Sequence, residues 1–258
     1  KDRYSATVTG RVDGSSKFGK NNKYAFFPSA GLAWNISQED FLKDNALISN
    51  LKLHTSYGLT GNSEIDPYNS LGKVDAGTYY IDAKRSAYSY IKTMSNPDLK
   101  WEKSTEYNIG LDWSVLDDRL SGTIDVYRKN TSDMLWWYTV PTPPNLVSST
   151  LANVGKMRNQ GIEIGINAVP VRTKDFEWKT TATFATNATK LISLSNDLYE
   201  TANEQDIAYL GEPITMSTQR MAVGKPLGQW YGMKAVGISE NGLWMIQNKE
   251  TGEAEEFY

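Results

Sequence analysis

Hydrophobic and polar residues alternate along most of this chain with a period of two. Between Glu106 and Trp113, Tyr107, Ile109, Leu111 and Trp113 share one parity, and Glu106, Asn108, Gly110 and Asp112 share the other. Successive strand side chains leave opposite faces of a sheet, so this segment predicts a strand with one apolar and one wet face. The same pattern predicts strands at 4–13, 24–36, 50–60, 101–113, 120–130, 160–170, 176–190 and about 221–238. Pro28 cannot donate to a ladder and is expected at a bulge or near a rim. Strands of soluble domains usually run to about five or six residues. Most of these run to ten or more, a length that suits a strand crossing a bilayer within a barrel.

The connections are 14–23, 37–49, 61–100, 114–119, 131–159, 171–175 and 191–220. After the first pair they alternate between long and short, as the external loops and periplasmic turns of an outer-membrane barrel do. With the long loops outside, Tyr4, Trp34, Trp113 and Trp178 all fall at periplasmic strand ends on the apolar parity. That placement predicts an aromatic girdle. The expected fold is therefore all-β: an antiparallel up-and-down transmembrane barrel segment of about eight strands. A soluble β-sandwich binding glycans is the alternative reading of the alternation. It accounts for neither the strand lengths, the one-sided loops nor the girdle. Ser37 followed by Asp40 predicts about one helical turn after the second strand.

Composition narrows the chemistry. With 27 Lys plus Arg against 30 Asp plus Glu, the 258 residues carry no basic surplus for nucleic acid. No stretch of about 18 apolar residues offers a membrane helix. Cysteine is absent, so there is no disulfide framework and no thiolate site. The chain enters its first strand within three residues and stops at ETGEAEEFY without a closing strand, which reads as a piece of something longer.

No catalytic, cofactor-binding or metal residues are expected. The single histidine, His54, lies on the wet parity of its strand, whereas zinc needs several ligands in register and a nucleophile triad needs further partners. Glu106, Asp112 and Glu163 are spaced as carboxylates facing a lumen. The best binding candidates are Trp136, Trp137 and Tyr138, followed by loop tyrosines such as Tyr79 and Tyr80, because aromatic faces stack on sugars and on apolar peptide side chains. The alternative for these aromatics is an outer girdle or the packing of the loop itself.

Six segments carry a family resemblance: RVDGSSKFGKNNKYAFFPSAGLAWNISQEDFL (11–42), LKLHTSYGLTGN (51–62), NPDLKWEKSTEYNIGLDW (96–113), LSGTIDVYRKNTSDML (120–135), NVGKMRNQGIEIGINAVPV (153–171) and GKPLGQWYGMKAVGI (224–238). In this order they resemble the barrel of the SusC/RagA family of TonB-dependent outer-membrane transporters of Bacteroidota. The resemblance implies a barrel of about 22 strands around a plug, of which residues 1–258 would be an internal part, with neither plug nor TonB segment. It also implies uptake of oligosaccharides or peptides together with a SusD-type surface lipoprotein, driven through TonB. The remaining implied contact is outer-membrane lipid, and no cofactor is implied. A TonB-dependent siderophore receptor is the neighbouring alternative. After Ile238 the sequence departs from the Asp/Asn/Gly-rich loop common in the family and lacks the alternating oxygen ligands of a calcium loop.

Overall fold

A computed structural model describes residues 3–196, 203–212 and 216–257. Among them the alternating segments form β1 (Tyr4–Gly14), β2 (Tyr24–Asn35) and β3 (Ile48–Asn62), followed by a hairpin of β4 (Lys73–Ile81) and β5 (Lys84–Thr93). Next come β6 (Glu102–Val115) and β7 (Leu120–Ser132), a second hairpin of β8 (Leu135–Thr139) and β9 (Ser149–Asn153), then β10 (Lys156–Arg172) and β11 (Glu177–Ser193). Short strands complete the chain: β12 (Glu204–Tyr209), β13 (Ser217–Ala222), β14 (Gln229–Trp230), β15 (Ala235–Ile238), β16 (Trp244–Gln247) and β17 (Ala254–Glu256).

The seven long strands make one antiparallel sheet in the order β1-β2-β3-β6-β7-β10-β11. They run from 11 residues in β1 to 17 in β10 and β11, enough to cross a bilayer core at a barrel's tilt. Both inserted hairpins, and the segment after β11, leave from one end of this sheet. At the other end β6 turns into β7 through 116–119 and β10 into β11 through 173–176. In the first of these turns Leu116, Asp117 and Asp118 all take positive φ. Short polar side chains tolerate that conformation better than most.

Register assigns the faces. Leu32, Thr55, Ile109, Val126, Ile162 and Thr186 lie abreast across six strands on one face. One residue along, Ala33, His54, Gly110, Asp125 and Glu163 lie abreast on the other. Among the described residues no second layer covers the apolar face, and Val8 is 84% exposed. A compact 28.9 kDa protein would expose about 11,000 Å², whereas this chain exposes 17,863 Å². A sandwich buries its apolar face against a second sheet, so this sheet is not half of one. Among the described residues the buried hydrophobic side chains gather instead in three small clusters at the end that carries the excursions. Phe18, Phe27, Leu99, Trp101 and Leu151 form the first, Tyr138, Ala152 and Val154 the second, and Leu191, Leu194 and Met221 the third. Phe27 and Leu191 are on the wet parity, so the excursions fold against the inner wall there.

Two expectations are corrected. The eighth strand at 221–238 does not form: β13, β14 and β15 divide that stretch between two separate three-stranded sheets. Gly224 and Gly228 take positive φ and Pro226 lies between them, which breaks the extended run. The turn after β2 is a 3-10 turn at Ile36–Gln38 with Asn35 before it, and Ser37 does not cap it. The Ser37 hydroxyl donates instead to Asn50 Oδ1 at 3.5 Å. Of the excursion 191–220, residues 197–202 and 213–215 lie outside the described residues.

The two faces predict opposite responses to one charge. Ile124→Lys places an ammonium on the apolar face and is expected to cost about 2–4 kcal/mol of folding into bilayers. Thr123→Lys, one residue away on the wet face, is expected to be near neutral. Denaturant titration of the complete barrel in lipid vesicles measures both, and equal costs would rule out the assignment of faces.

Candidate lumen wall and extracellular aromatic site

The wet face is a ladder of polar side chains spanning several strands. Lys52 Nζ lies 3.4 Å from Asp112 Oδ2, and His54 Nδ1 lies 3.7 Å from the same oxygen. On its other side His54 Nε2 is 3.2 Å from Asp125 Oδ1, which also accepts the Asn108 amide at 3.3 Å. His54 thereby reaches a carboxylate two strands away, across β6. Gly110 permits this: it stands abreast of both residues, and a Cβ there would collide with His54 Nε2 and Asp125 Oδ1. Further along, Asn159 donates to Asn187 Oδ1 at 2.8 Å and to Thr189 Oγ1 at 3.0 Å. Among the described residues no group of three or more His, Asp or Glu is arranged to hold a metal ion. The wall offers hydrogen bonds and fixed charge to whatever fills the lumen, and no poised nucleophile.

At the end away from the excursions, Tyr4, Trp34, Trp113 and Trp178 all lie on the apolar parity. Tyr4 stands opposite Trp34 with ring centroids 6.4 Å apart, and Trp178 stands opposite Val171. The Trp113 ring lies over Gly122 of the next strand. Glu39, in the turn after β2, ties the first pair down. Its Oε1 accepts the Tyr4 hydroxyl at 2.7 Å and the Trp34 indole at 3.0 Å, and its Oε2 accepts Arg3 at 3.1 Å. The Tyr4 and Trp34 bonds, helped by Arg3, hold the Glu39 carboxyl below the usual range.

The aromatic candidates occupy two hairpins at the opposite end. On β4–β5, Tyr79, Tyr88 and Tyr90 line one face, with centroids 6.0 Å and 5.8 Å apart along the series, and Tyr80 lies on the other. The Lys92–Asp75 pair at 2.7 Å closes the base of the tyrosine face. On β8–β9, Trp136 packs against the third cluster and its indole donates to Gln205 at 3.1 Å. Tyr138 is buried with Ala152 and Val154, whereas Trp137 is 44% exposed. The exposed members of the candidate set are therefore Trp137, Tyr79 and Tyr80.

Sequence reasoning missed a second polar knot. Arg220 makes a bidentate pair with Asp206, at 2.5 Å and 3.1 Å, and its guanidinium lies 3.6 Å above the Tyr231 ring. The guanidinium holds the Asp206 carboxyl below its ordinary range. Beside this knot Tyr209, Trp230, Tyr231, Lys234 and Asn248 line a cleft of about 780 Å³. The one available signal was the dipeptide Trp230-Tyr231 between glycines.

Seven long meandering strands, an apolar outer face, a polar inner face and all large excursions at one end define a sector of an outer-membrane β-barrel. Residues 1–249 match the family model described as "TonB dependent receptor-like, beta-barrel". The chain belongs to the TonB-dependent receptor family and is of SusC/RagA type. Members of that type are outer-membrane receptors, not enzymes. It is 37% identical over 243 residues to TonB-dependent receptor P3 of Formosa agariphila, covering 93% of this chain and 24% of that protein. It is 36% identical over 219 residues to TonB-dependent receptor SusC of Bacteroides thetaiotaomicron, covering 79% and 21%. Among solved structures, the RagAB peptide importer in its open-open state superposes with a TM-score of 0.83 at 29% identity, over 100% of this chain and 27% of that one. The chain thus spans about a quarter of the length of these relatives.

Two outcomes test the site geometry. Gly110→Val is expected to displace His54 from Asp125 and to cost about 1–3 kcal/mol, read by denaturant titration alongside Gly58→Val, whose nearest neighbour leaves ordinary space. Glu39 has a depressed folded pKa, so its contribution is present above the unfolded value and is lost as pH falls through the folded one. Acidification below about pH 4 is expected to change Trp34 emission in the wild type, and Glu39→Gln is expected to abolish that acid-dependent step. An identical acid step in both proteins would place the titrating group elsewhere.

Proposed function

We propose that this chain is a wall sector of a TonB-dependent importer that takes up oligosaccharides or peptides with a SusD-type surface lipoprotein. One observation carries the reading: the same seven strands present a continuous apolar face to the outside and a continuous polar face to the inside. Similarity to SusC and to the RagAB peptide importer supports it. In this reading residues 1–258 are part of one receptor β-barrel domain, and TonB and a plug engage parts of the receptor outside this chain. Tyr4, Trp34, Trp113 and Trp178 form the periplasmic girdle, where amphipathic rings favour the membrane interface. The tyrosine face of β4–β5 and Trp137 stand at the extracellular mouth, where they contact the incoming ligand or the lipoprotein. Aromatic surface of this kind supplies large contact area at low conformational cost.

Combined Tyr79→Ala, Tyr88→Ala and Tyr90→Ala substitution in the complete receptor is expected to reduce uptake of labelled oligosaccharide or peptide about tenfold or more, as loss of a small hot-spot cluster does. Barrel assembly should be unchanged, as judged by heat-modifiable gel mobility. Co-purification of the surface lipoprotein separates the two roles: loss of uptake with the lipoprotein retained indicates ligand contact, and loss of both indicates lid contact. Unchanged uptake and retention would remove the hairpin from the site.

A further inference from the structure

The import reading leaves one corner of the outer face unused. At the excursion end of β6, β7, β10 and β11 the outward positions hold Lys103, Arg128, Lys156, Arg158 and Lys190. Arg158 stands directly opposite Lys190, Lys103 and Lys156 flank Ser132 on its two sides, and Arg128 stands opposite Gln160, two residues along β10 from Arg158. From Lys103 to Val115, Leu120 to Ser132, Lys156 to Ala168 and Trp178 to Lys190, the outward parity contains no Asp or Glu. None of the five cations has an ion-pair partner among the described residues, and of the five only Arg158 donates a side-chain hydrogen bond there, to Asn130 Oδ1 at 3.2 Å. Like charges directly opposite on a sheet destabilise it. The inner wall places Lys129 opposite Glu106 instead, so the outer corner calls for an anion from outside the chain.

The surroundings indicate which anion. A groove of about 570 Å³ descends from this corner, lined by Tyr107, Arg128 and Gln160 above and by Ile109, Val126 and Ile162 below. It has a cationic head and an apolar tail, the shape of an amphiphile. Its height fits as well. On β1 and β2 the outward apolar run reaches Val12 and Phe26, farther out along the sheet than Tyr107 and Arg128. Toward β11 the opposite border shifts in the same sense, from Trp34 through Trp113 to Trp178. Barrel strands tilt by about 35–45°, so a level membrane boundary crosses the rows obliquely, as both borders do. The cations then sit at the headgroup layer of the outer leaflet.

We propose that this corner binds a phosphorylated lipid of the outer leaflet, with an acyl chain in the groove and a phosphate held by Arg128, Arg158 and Lys190. Guanidinium groups bind phosphate through paired hydrogen bonds, and nearby lysine adds charge. Lipid capture at this corner is separate from import and is measured without a transport assay. The complete receptor is purified in detergent and titrated with diphosphorylated lipid A, with its dephosphorylated form and with inorganic phosphate, retention being read by native mass spectrometry. The diphosphorylated lipid is expected to bind most tightly in the wild type, a comparison that needs no variant. Combined Arg128→Gln, Arg158→Gln and Lys190→Gln substitution is expected to weaken it roughly a hundredfold, while the inner-wall Lys129→Gln leaves it unchanged. Equal binding of the dephosphorylated lipid, or an unaffected triple variant, would overturn the proposal. Full displacement of the lipid by an equal concentration of inorganic phosphate would also overturn it, by identifying a free-anion site.

Discussion

The constraint on which this structure depends is the hydrogen-bond ladder between neighbouring long strands. In hydrocarbon no water satisfies a free N–H or C=O, so a sheet survives there only if every strand is paired on both sides. Five of the seven strands meet that condition within the chain. The outer strands β1 and β11 are each paired along one side, and β11 gains only a tip contact on the other, where Leu191 exchanges backbone bonds with Gly224 and Lys225. An edge of that length would be a template for association in water and untenable in lipid. The sector therefore works only as a portion of a continuous wall, consistent with relatives about four times its length.

Once the ladder is fixed, each side chain meets one of two solvents. The outer face needs no partner protein to stabilise Ile109, Val126 or Ile162, because lipid tails serve as their surroundings. The inner face has no such medium. Its polar groups find one another instead, as in the line from Lys52 through Asp112 and His54 to Asp125. Among the described residues, hydrophobic burial begins only where the excursions fold against the wall, and there it involves a few residues such as Phe18, Leu99 and Leu191. Wall and mouth are thus stabilised by different physics, the first by hydrogen bonds in a low dielectric and the second by small water-excluding clusters.

That division explains what could be read from the sequence. A half-buried strand writes its environment into every second residue, so β1, β2, β3, β6, β7, β10 and β11 were legible, as was the placement of Trp34 and Trp113 at one end. The β4–β5 hairpin has two exposed faces, so no period distinguishes it from a loop, although its tyrosines were visible as residues. At 221–238 the alternation was misleading, and Gly224, Pro226 and Gly228 were the better signal. The Arg220–Asp206 pair was out of reach, because it exists only once β12 and β13 are in register. For Trp136 and Tyr138 composition gave chemistry without surroundings: one ring packs beneath a neighbouring sheet and the other is buried.

The same logic separates the two outward aromatic zones from the cations beside and above one of them. An indole or phenol at an interface satisfies one polar atom and leaves a large apolar ring for the acyl layer. Glu39 supplies that polar contact for Tyr4 and Trp34 at the end away from the excursions. At the end that carries the excursions Tyr57 and Tyr107 meet at a tilt with centroids 5.1 Å apart, and Arg128 follows Tyr107 across the next strand pairing. The border away from the excursions carries its own carboxylate, while the border beside them carries cations that have no ion-pair partner among the described residues. Such an asymmetry has no use in a sheet bathed by one solvent on both ends. It has one in a bilayer whose two leaflets differ in charge.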